Sequence, residues 1–130
     1  MRFTFEKALG VHEPALNLQS RRTQMLAANL ANADTPQYKA RDLDFQAALR
    51  AATGEDNGPL VLTNARHLQP EGAGTSDPLY RTPSMPSIDG NTVEEHIEMA
   101  EFTDNSMRYL TSLRVIGGRF QTLSSAIKGQ

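Results

Sequence analysis

The chain has no cysteine and no tryptophan. Disulfide frameworks, thiol nucleophiles and cysteine-based zinc sites are therefore excluded. No stretch approaches the ~20 consecutive apolar residues that cross a bilayer. The first ten residues, MRFTFEKALG, have neither the apolar run nor the small-residue cleavage site of a secretory signal, so any exit from the cytoplasm is expected to use a route without a cleaved signal. Charge of one sign is also missing. Thirteen basic residues face 15 acidic ones, for a formal net charge of −2, which leaves no electrostatic footprint for nucleic acid and no polybasic membrane patch. No glycine-rich phosphate loop is present, and no cofactor or small-molecule substrate is expected. Aromatic residues make up 6% and hydrophobic residues 38% of the 130, which allows one domain with a modest core.

What the chain does have is helical periodicity at its two ends. From Thr92 to Ile127 three adjacent heptad columns carry no charge. They are Met99, Ser106, Leu113, Phe120 and Ile127; Thr103, Leu110, Gly117 and Ser124; and Phe102, Tyr109, Ile116 and Leu123. A stripe that recurs every three and four residues keeps one face toward one partner along a helix. Uninterrupted, this helix would run roughly 54 Å at 1.5 Å per residue, longer than a compact domain of this size needs. The column around Gly117 is rich in small residues and lets another backbone approach. The expected assembly seam comprises Met99, Phe102, Tyr109, Leu110, Leu113, Ile116, Gly117, Phe120, Leu123 and Ile127.

From Phe5 to Ala31 a second helical pattern carries two stripes. One includes Leu9, His12, Leu16, Gln19, Thr23, Leu26 and Leu30, and the other includes Val11, Ala15, Leu18, Arg22, Met25 and Asn29. Two stripes require partners on two sides. Pro14 fits only a first turn, because deeper in a helix it removes a hydrogen bond and clashes with the preceding turn. The main helix is therefore expected to start near Glu13.

The expected fold is mainly α. Two long terminal amphipathic helices pair as a coiled-coil-like hairpin, joined by a Pro/Gly-rich middle segment with little β. The expected segments are an N-terminal helical assembly segment 1–35, a middle segment or small lobe 36–91, and a C-terminal long helix 92–130. Six of the seven prolines lie between Pro36 and Pro86. Within the middle, Asp44 to Ala52 reads as a short helix ended by Gly54, Leu60 to Thr63 as a strand, and Glu71 to Ser87 as irregular. Thr92 and Glu95 have the spacing of a capping box for the last helix. Glu94, Glu95, His96 and Glu98 read as a solvated helix end rather than a metal site. Asp42 and Asp44 read as loop charges. Two other classes remain open on these grounds: a soluble helical adaptor or secretion chaperone that holds a partner helix, and a hydrolase using the acidic cluster with His96.

One stretch is more specific. Ala28-Asn29-Leu30-Ala31-Asn32-Ala33-Asp34-Thr35-Pro36-Gln37-Tyr38-Lys39 resembles the N-terminal signature of the bacterial flagellar axial proteins, the family of rod, hook and hook-associated proteins. The family's usual form has glycine between the proline and the tyrosine, where this chain has Gln37. The continuation Ala40-Arg41-Asp42-Leu43-Asp44-Phe45 looks like the proximal-rod members, as do Leu62 to Leu68, Asp89 to Val93, and Glu98, Met99, Glu101, Phe102 and Tyr109. The resemblance implies an assembly motif of Asn29, Leu30, Asn32, Thr35, Pro36 and Tyr38. It implies a non-enzymatic structural subunit of the proximal rod that transmits torque. Export would run through the flagellar type III apparatus, with residence in the periplasmic part of the basal body. Its implied partners are further copies of itself, the rod proteins FlgC, FlgF and FlgG, and FliE at the junction with the MS ring.

Overall fold

The computed structural model describes residues 9–54 and 77–129. Its elements in order are helix α1 (His12–Ala31), strand β1 (Arg41–Asp42), helix α2 (Phe45–Thr53), strand β2 (Leu79–Tyr80) and helix α3 (Glu95–Lys128). The mainly α architecture with two long helices is as the sequence implies. At 34 residues, α3 is about 51 Å long.

Each boundary has a local cause. Gly10 adopts φ +57° and separates Leu9 from α1. The Ala15 N–H donates to the Val11 carbonyl at 3.1 Å, so Pro14 sits where its missing N–H removes no helical bond. The Asp44 side chain accepts from the Ala47 N–H at the start of α2, and Gly54 closes that helix at φ +72°, a conformation glycine adopts without a Cβ penalty. The strand expected at Leu60 to Thr63 lies outside the described residues. In the stretch expected to be irregular, Leu79–Tyr80 forms a strand antiparallel to β1, in the register Arg41 with Tyr80 and Asp42 with Leu79. A pair of two-residue strands is too short for an alternation signal. The pairing is extended by the Arg81 N–H donating to the Ala40 carbonyl, and across it the Arg41 guanidinium lies 5.5 Å from the centre of the Tyr80 ring.

Helices α1 and α3 pair antiparallel: Asn29 meets Glu98, Asn105 meets Gln19 and Thr23, and Leu9 meets Arg119. The inward face of α3 is only partly the one its apolar columns suggest. Phe102, Tyr109, Ile116 and Leu123 do turn inward. The column that alternates with them is polar: Glu98, Asn105, Ser112 and Arg119. Glu98 and Asn105 are fully buried. The Asn105 amide donates to the Gln19 carbonyl and to Thr23 Oγ1, both at 2.8 Å. The second stripe of α1 finds a partner inside the chain, where Leu18 packs with Leu43 and Ala48, flanked by Met25, Phe45 and Leu49.

An ion network ties the middle segment to both helices. The Arg22 guanidinium grips Asp42 with two bonds of 2.8 Å and reaches Glu101 at 2.9 Å. Arg81 donates to Asp42 and, at 2.9 Å, to the buried carboxylate of Glu98. The expected loop charge Asp42 is thus a hub, because β1 carries it into the angle between α1 and Arg81. Burial pushes the Asp42 carboxyl up, but bonds from Arg22, the Leu43 N–H and Arg81 outweigh that and leave it below its ordinary value. The same pair with Asp42 raises the Arg22 guanidinium above its own.

The turn between α1 and β1 carries the one non-glycine residue at positive φ among the described residues, Gln37 at +61°. The Tyr38 N–H returns to the Thr35 carbonyl at 3.3 Å. With Pro36 and Gln37 central, this is a turn whose third position favours glycine.

Two predictions follow from these contacts. Because Asp42 is lowered in the folded state, its contribution is full above the unfolded carboxyl value of about 3.9 and fades as pH falls through that value toward the folded one. Asp42→Asn should lose about 2 kcal/mol at pH 7, with the gap to wild type narrowing below about pH 4. Denaturant titrations across pH measure this. Gln37→Gly should relieve the left-handed strain, less the entropy glycine adds to the unfolded chain. The net gain is about 0.5–1 kcal/mol, read as a raised Tm.

Candidate assembly interface

The residues expected to form the assembly motif gather where α1 ends. The side chain of Asn29 is fully buried. Its amide donates to the Arg41 carbonyl at 2.8 Å and to Glu98 Oε2 at 3.0 Å, while its oxygen accepts from the Arg41 N–H at 3.1 Å. One side chain therefore joins α1, β1 and α3. Asn32 turns back onto the Ala28 carbonyl at 2.8 Å, and the Thr35 hydroxyl donates to Asn32 Oδ1 at 3.1 Å. Leu30 and Tyr38 are half-buried and Pro36 is exposed. Pro36 acts through its fixed φ at the turn.

A residue outside the expected motif holds this end together. The Asn91 amide donates to the carbonyls of Asn32, Ala33 and Thr35 at 3.1, 2.6 and 3.0 Å. These carbonyls belong to the turn that follows the end of α1. Asn91 is buried, and its own oxygen accepts from the Val93 N–H. The only sequence signal for this role was the Asp-Gly-Asn turn that precedes α3. Thr92 is likewise occupied elsewhere, its hydroxyl accepting from the Ala40 N–H at 2.8 Å. The expected capping box at Thr92 and Glu95 therefore does not form. Helix α3 begins two residues later than that pattern implies, behind Glu94, which makes no side-chain cap. The Glu94 carboxylate accepts from Ser84 instead, which lowers it. The acidic group at the helix start also divides. Glu95 and His96 are exposed, whereas Glu98 is buried in the network. Among the described residues no three His, Cys, Asp or Glu side chains gather to hold a metal ion, and no helix is long and apolar enough to cross a membrane.

The second half of the candidate site is the length of α3. The expected seam splits between two faces. Ile116 is buried, and Phe102, Tyr109 and Leu123 are half-buried on the α1 side. Met99, Leu110, Leu113, Phe120 and Ile127 face outward, with Leu110 62% and Ile127 83% exposed. Met107, 65% exposed, widens that apolar face. Gly117 lies on it, and a Cβ built there would meet nothing within 4 Å. Exposed apolar residues scattered singly are ordinary, but a continuous stripe along one helix marks an interaction surface.

Known proteins resemble the chain over nearly its whole length. The family of flagella basal body rod proteins matches residues 9–39, the stretch that holds α1 and the knot at its end. The flagellar basal body rod protein FlgB of Cereibacter sphaeroides is 50% identical over 127 residues, which cover 97% of this chain and 98% of that one. FlgB of Salmonella typhimurium is 40% identical, covering 95% of each chain. FlgB of Escherichia coli is 38% identical, covering 95% of this chain and 94% of its own. These similarities extend over both helices and the segment between them, and the chain belongs to the FlgB family of flagellar basal body rod proteins.

Proposed function

We propose that this chain is a structural subunit of the proximal rod of the flagellar basal body, and that it joins the rod through the outward face of α3 together with the end of α1. The observation that carries the proposal is the apolar stripe from Met99 to Ile127, left exposed on a helix of about 51 Å whose other face is already engaged. Burying such a stripe against helices of neighbouring subunits removes apolar surface from water at roughly 25 cal/mol per Å², and it does so along a line parallel to the helix, the geometry of a shaft.

The neighbours proposed are further copies of this chain, the rod proteins FlgC, FlgF and FlgG, and FliE where the rod meets the MS ring. The proposed route is the flagellar type III export apparatus, with final residence in the periplasmic part of the basal body. The role is torque transmission without catalysis. The carboxylates of the chain support that role as structural groups, since Asp42, Glu98 and Glu101 are held by arginines that fix one element against another. The knot at the end of α1 gives the proposed assembly motif its function: it sets the angle at which the chain leaves the helix, and so how subunits stagger. The boundaries 1–35, 36–91 and 92–130 are proposed as assembly helix, connecting lobe and assembly helix.

Two substitutions separate assembly from folding. Gly117→Leu has open space in the isolated chain and replaces a mid-helix glycine, so the monomer should gain up to about 1 kcal/mol while a strain carrying it loses motility. Leu110→Asp with Leu113→Asp should change monomer stability by less than about 1 kcal/mol, as exposed substitutions do, and leave basal bodies that stop at the membrane ring in electron micrographs. Full motility in both strains would point to a soluble adaptor, and a discrete dimer of fixed stoichiometry would identify it as one.

A further inference from the structure

Helix α3 offers α1 two faces, and both are apolar enough to hold a helix. The inward one carries Phe102, Tyr109, Ile116 and Leu123, and the outward one Met99, Leu110, Leu113 and Phe120. Hydrophobic attraction has no direction and cannot choose between them. An α1 that settled on the outward face would cover the surface assigned above to rod neighbours, and the chain would cap itself.

Polar groups make the difference. On its side of the seam α1 presents the buried amide of Asn29, the carbonyl of Gln19 and the hydroxyl of Thr23. The inward face of α3 answers with Glu98, which accepts from Asn29 at 3.0 Å, and with Asn105, which donates to Gln19 and Thr23 at 2.8 Å. These two residues stand one heptad apart and are both fully buried. The outward face has no equivalent. Its nearest hydroxyls, on Thr103 and Ser106, already donate to the carbonyls of Met99 and Phe102 within their own helix. Against that face Asn29 would keep its bond to the Arg41 carbonyl but exchange the Glu98 carboxylate for at most a hydroxyl, and nothing there would donate to the Gln19 carbonyl and the Thr23 hydroxyl as Asn105 does. A one-heptad slip on the correct face fails for the same reason. It would take Asn105 away from the Gln19 carbonyl and Glu98 away from both Asn29 and Arg81. Single polar residues in an apolar seam are known to fix register in this way.

We propose that Glu98 and Asn105 select the face of α3 that receives α1, and so keep the apolar stripe open for neighbouring subunits. The proposal rests on the assembly role given above, but its test needs only the isolated chain. A failure of the rod experiments and a failure of this one therefore read separately. The natural sequence has no cysteine, so single cysteines report cleanly. One is placed at Leu110 on the open face, and another at Ser112, half-buried on the closed one. Labelling with a small maleimide is compared on dilute monomer whose helicity is followed by circular dichroism.

In the natural background the Leu110 position should label at least fivefold faster than Ser112. With Asn105→Ala that ratio should fall below twofold at retained helicity. With Glu98→Ala added it should invert, as α1 moves onto the former outer stripe. Glu98→Gln keeps an oxygen facing the Asn29 amide and should leave the ratio as it was. An unchanged ratio in the Asn105→Ala chain overturns the proposal. So does a double variant that loses its helices altogether, since the pair would then hold the fold rather than choose the face.

Discussion

Glu98 is wholly withdrawn from solvent, and each of its oxygens is held by one donor: Oε1 by Arg81 and Oε2 by Asn29. A carboxylate in that position is tolerated only if both partners arrive. Asn29 arrives from the last turn of α1, and Arg81 from the residue after β2. The end of one helix, the short sheet and the start of the other helix must therefore close together. Asp42 extends the same constraint, because Arg81 and Arg22 share it and Arg22 also reaches Glu101. Each arginine thus holds two carboxylates, and the pairs form one continuous chain of charges in which removing Arg81 would leave the buried Glu98 with Asn29 alone.

Around this network the chain buries little that is apolar. The buried hydrophobic side chains among the described residues are Ala15, Leu18, Leu26, Ala40, Leu43, Ala48 and Ile116. Alanines form a large part of that set, and alanine contributes the least area on burial. The interaction that gives the chain its shape is thus polar and directional, while Met99, Leu110, Leu113, Phe120 and Ile127 of α3 stay exposed on its outward face. In a self-sufficient globule the balance would be reversed. A subunit of a polymer can be built like this, because its largest hydrophobic gain is reserved for contacts with neighbours.

The sequence makes the outline legible because the outline follows from periodicity and local signals. The two long helices, the start of α1 around Pro14, and the short helix between Asp44 and Gly54 all rest on patterns contained within a few turns of chain. What escapes it is long-range. Glu98 looks like one acid among several at a helix start, and only the approach of Asn29, 69 residues earlier, makes it a buried anchor. Thr92 looks like a cap for α3 because the nearest donors in sequence are those of the helix start, yet its hydroxyl accepts from the Ala40 N–H, and the neighbouring Asn91 amide goes to the carbonyls of Asn32, Ala33 and Thr35. The heptad columns mislead for a related reason. Periodicity identifies which residues share a face but not which face turns inward, and here the inward face includes a polar column that a hydrophobic pattern passes over.

Gln37 occupies a backbone position that its neighbours dictate. The turn Thr35 to Tyr38 reverses the chain at the foot of α1, and both neighbours of Gln37 are committed: Pro36 by its ring, Tyr38 by its N–H to Thr35 and its carbonyl to the Thr92 N–H. The backbone at position 37 therefore has to take φ +61° whatever its side chain, and the Gln37 N–H donates to the Asp89 carbonyl from that conformation. Glycine, usual in the family's motif, would adopt it without strain. The knot above it, with Asn91 on three carbonyls and Lys39 on the Gly90 carbonyl at 2.6 Å, holds the strained residue in place. A strained position persists where its surroundings over-determine it. The turn that sets the path from the first helix into the rest of the subunit is kept by contacts with the segment leading into α3, so the two ends of the chain fix each other's geometry before any neighbour arrives.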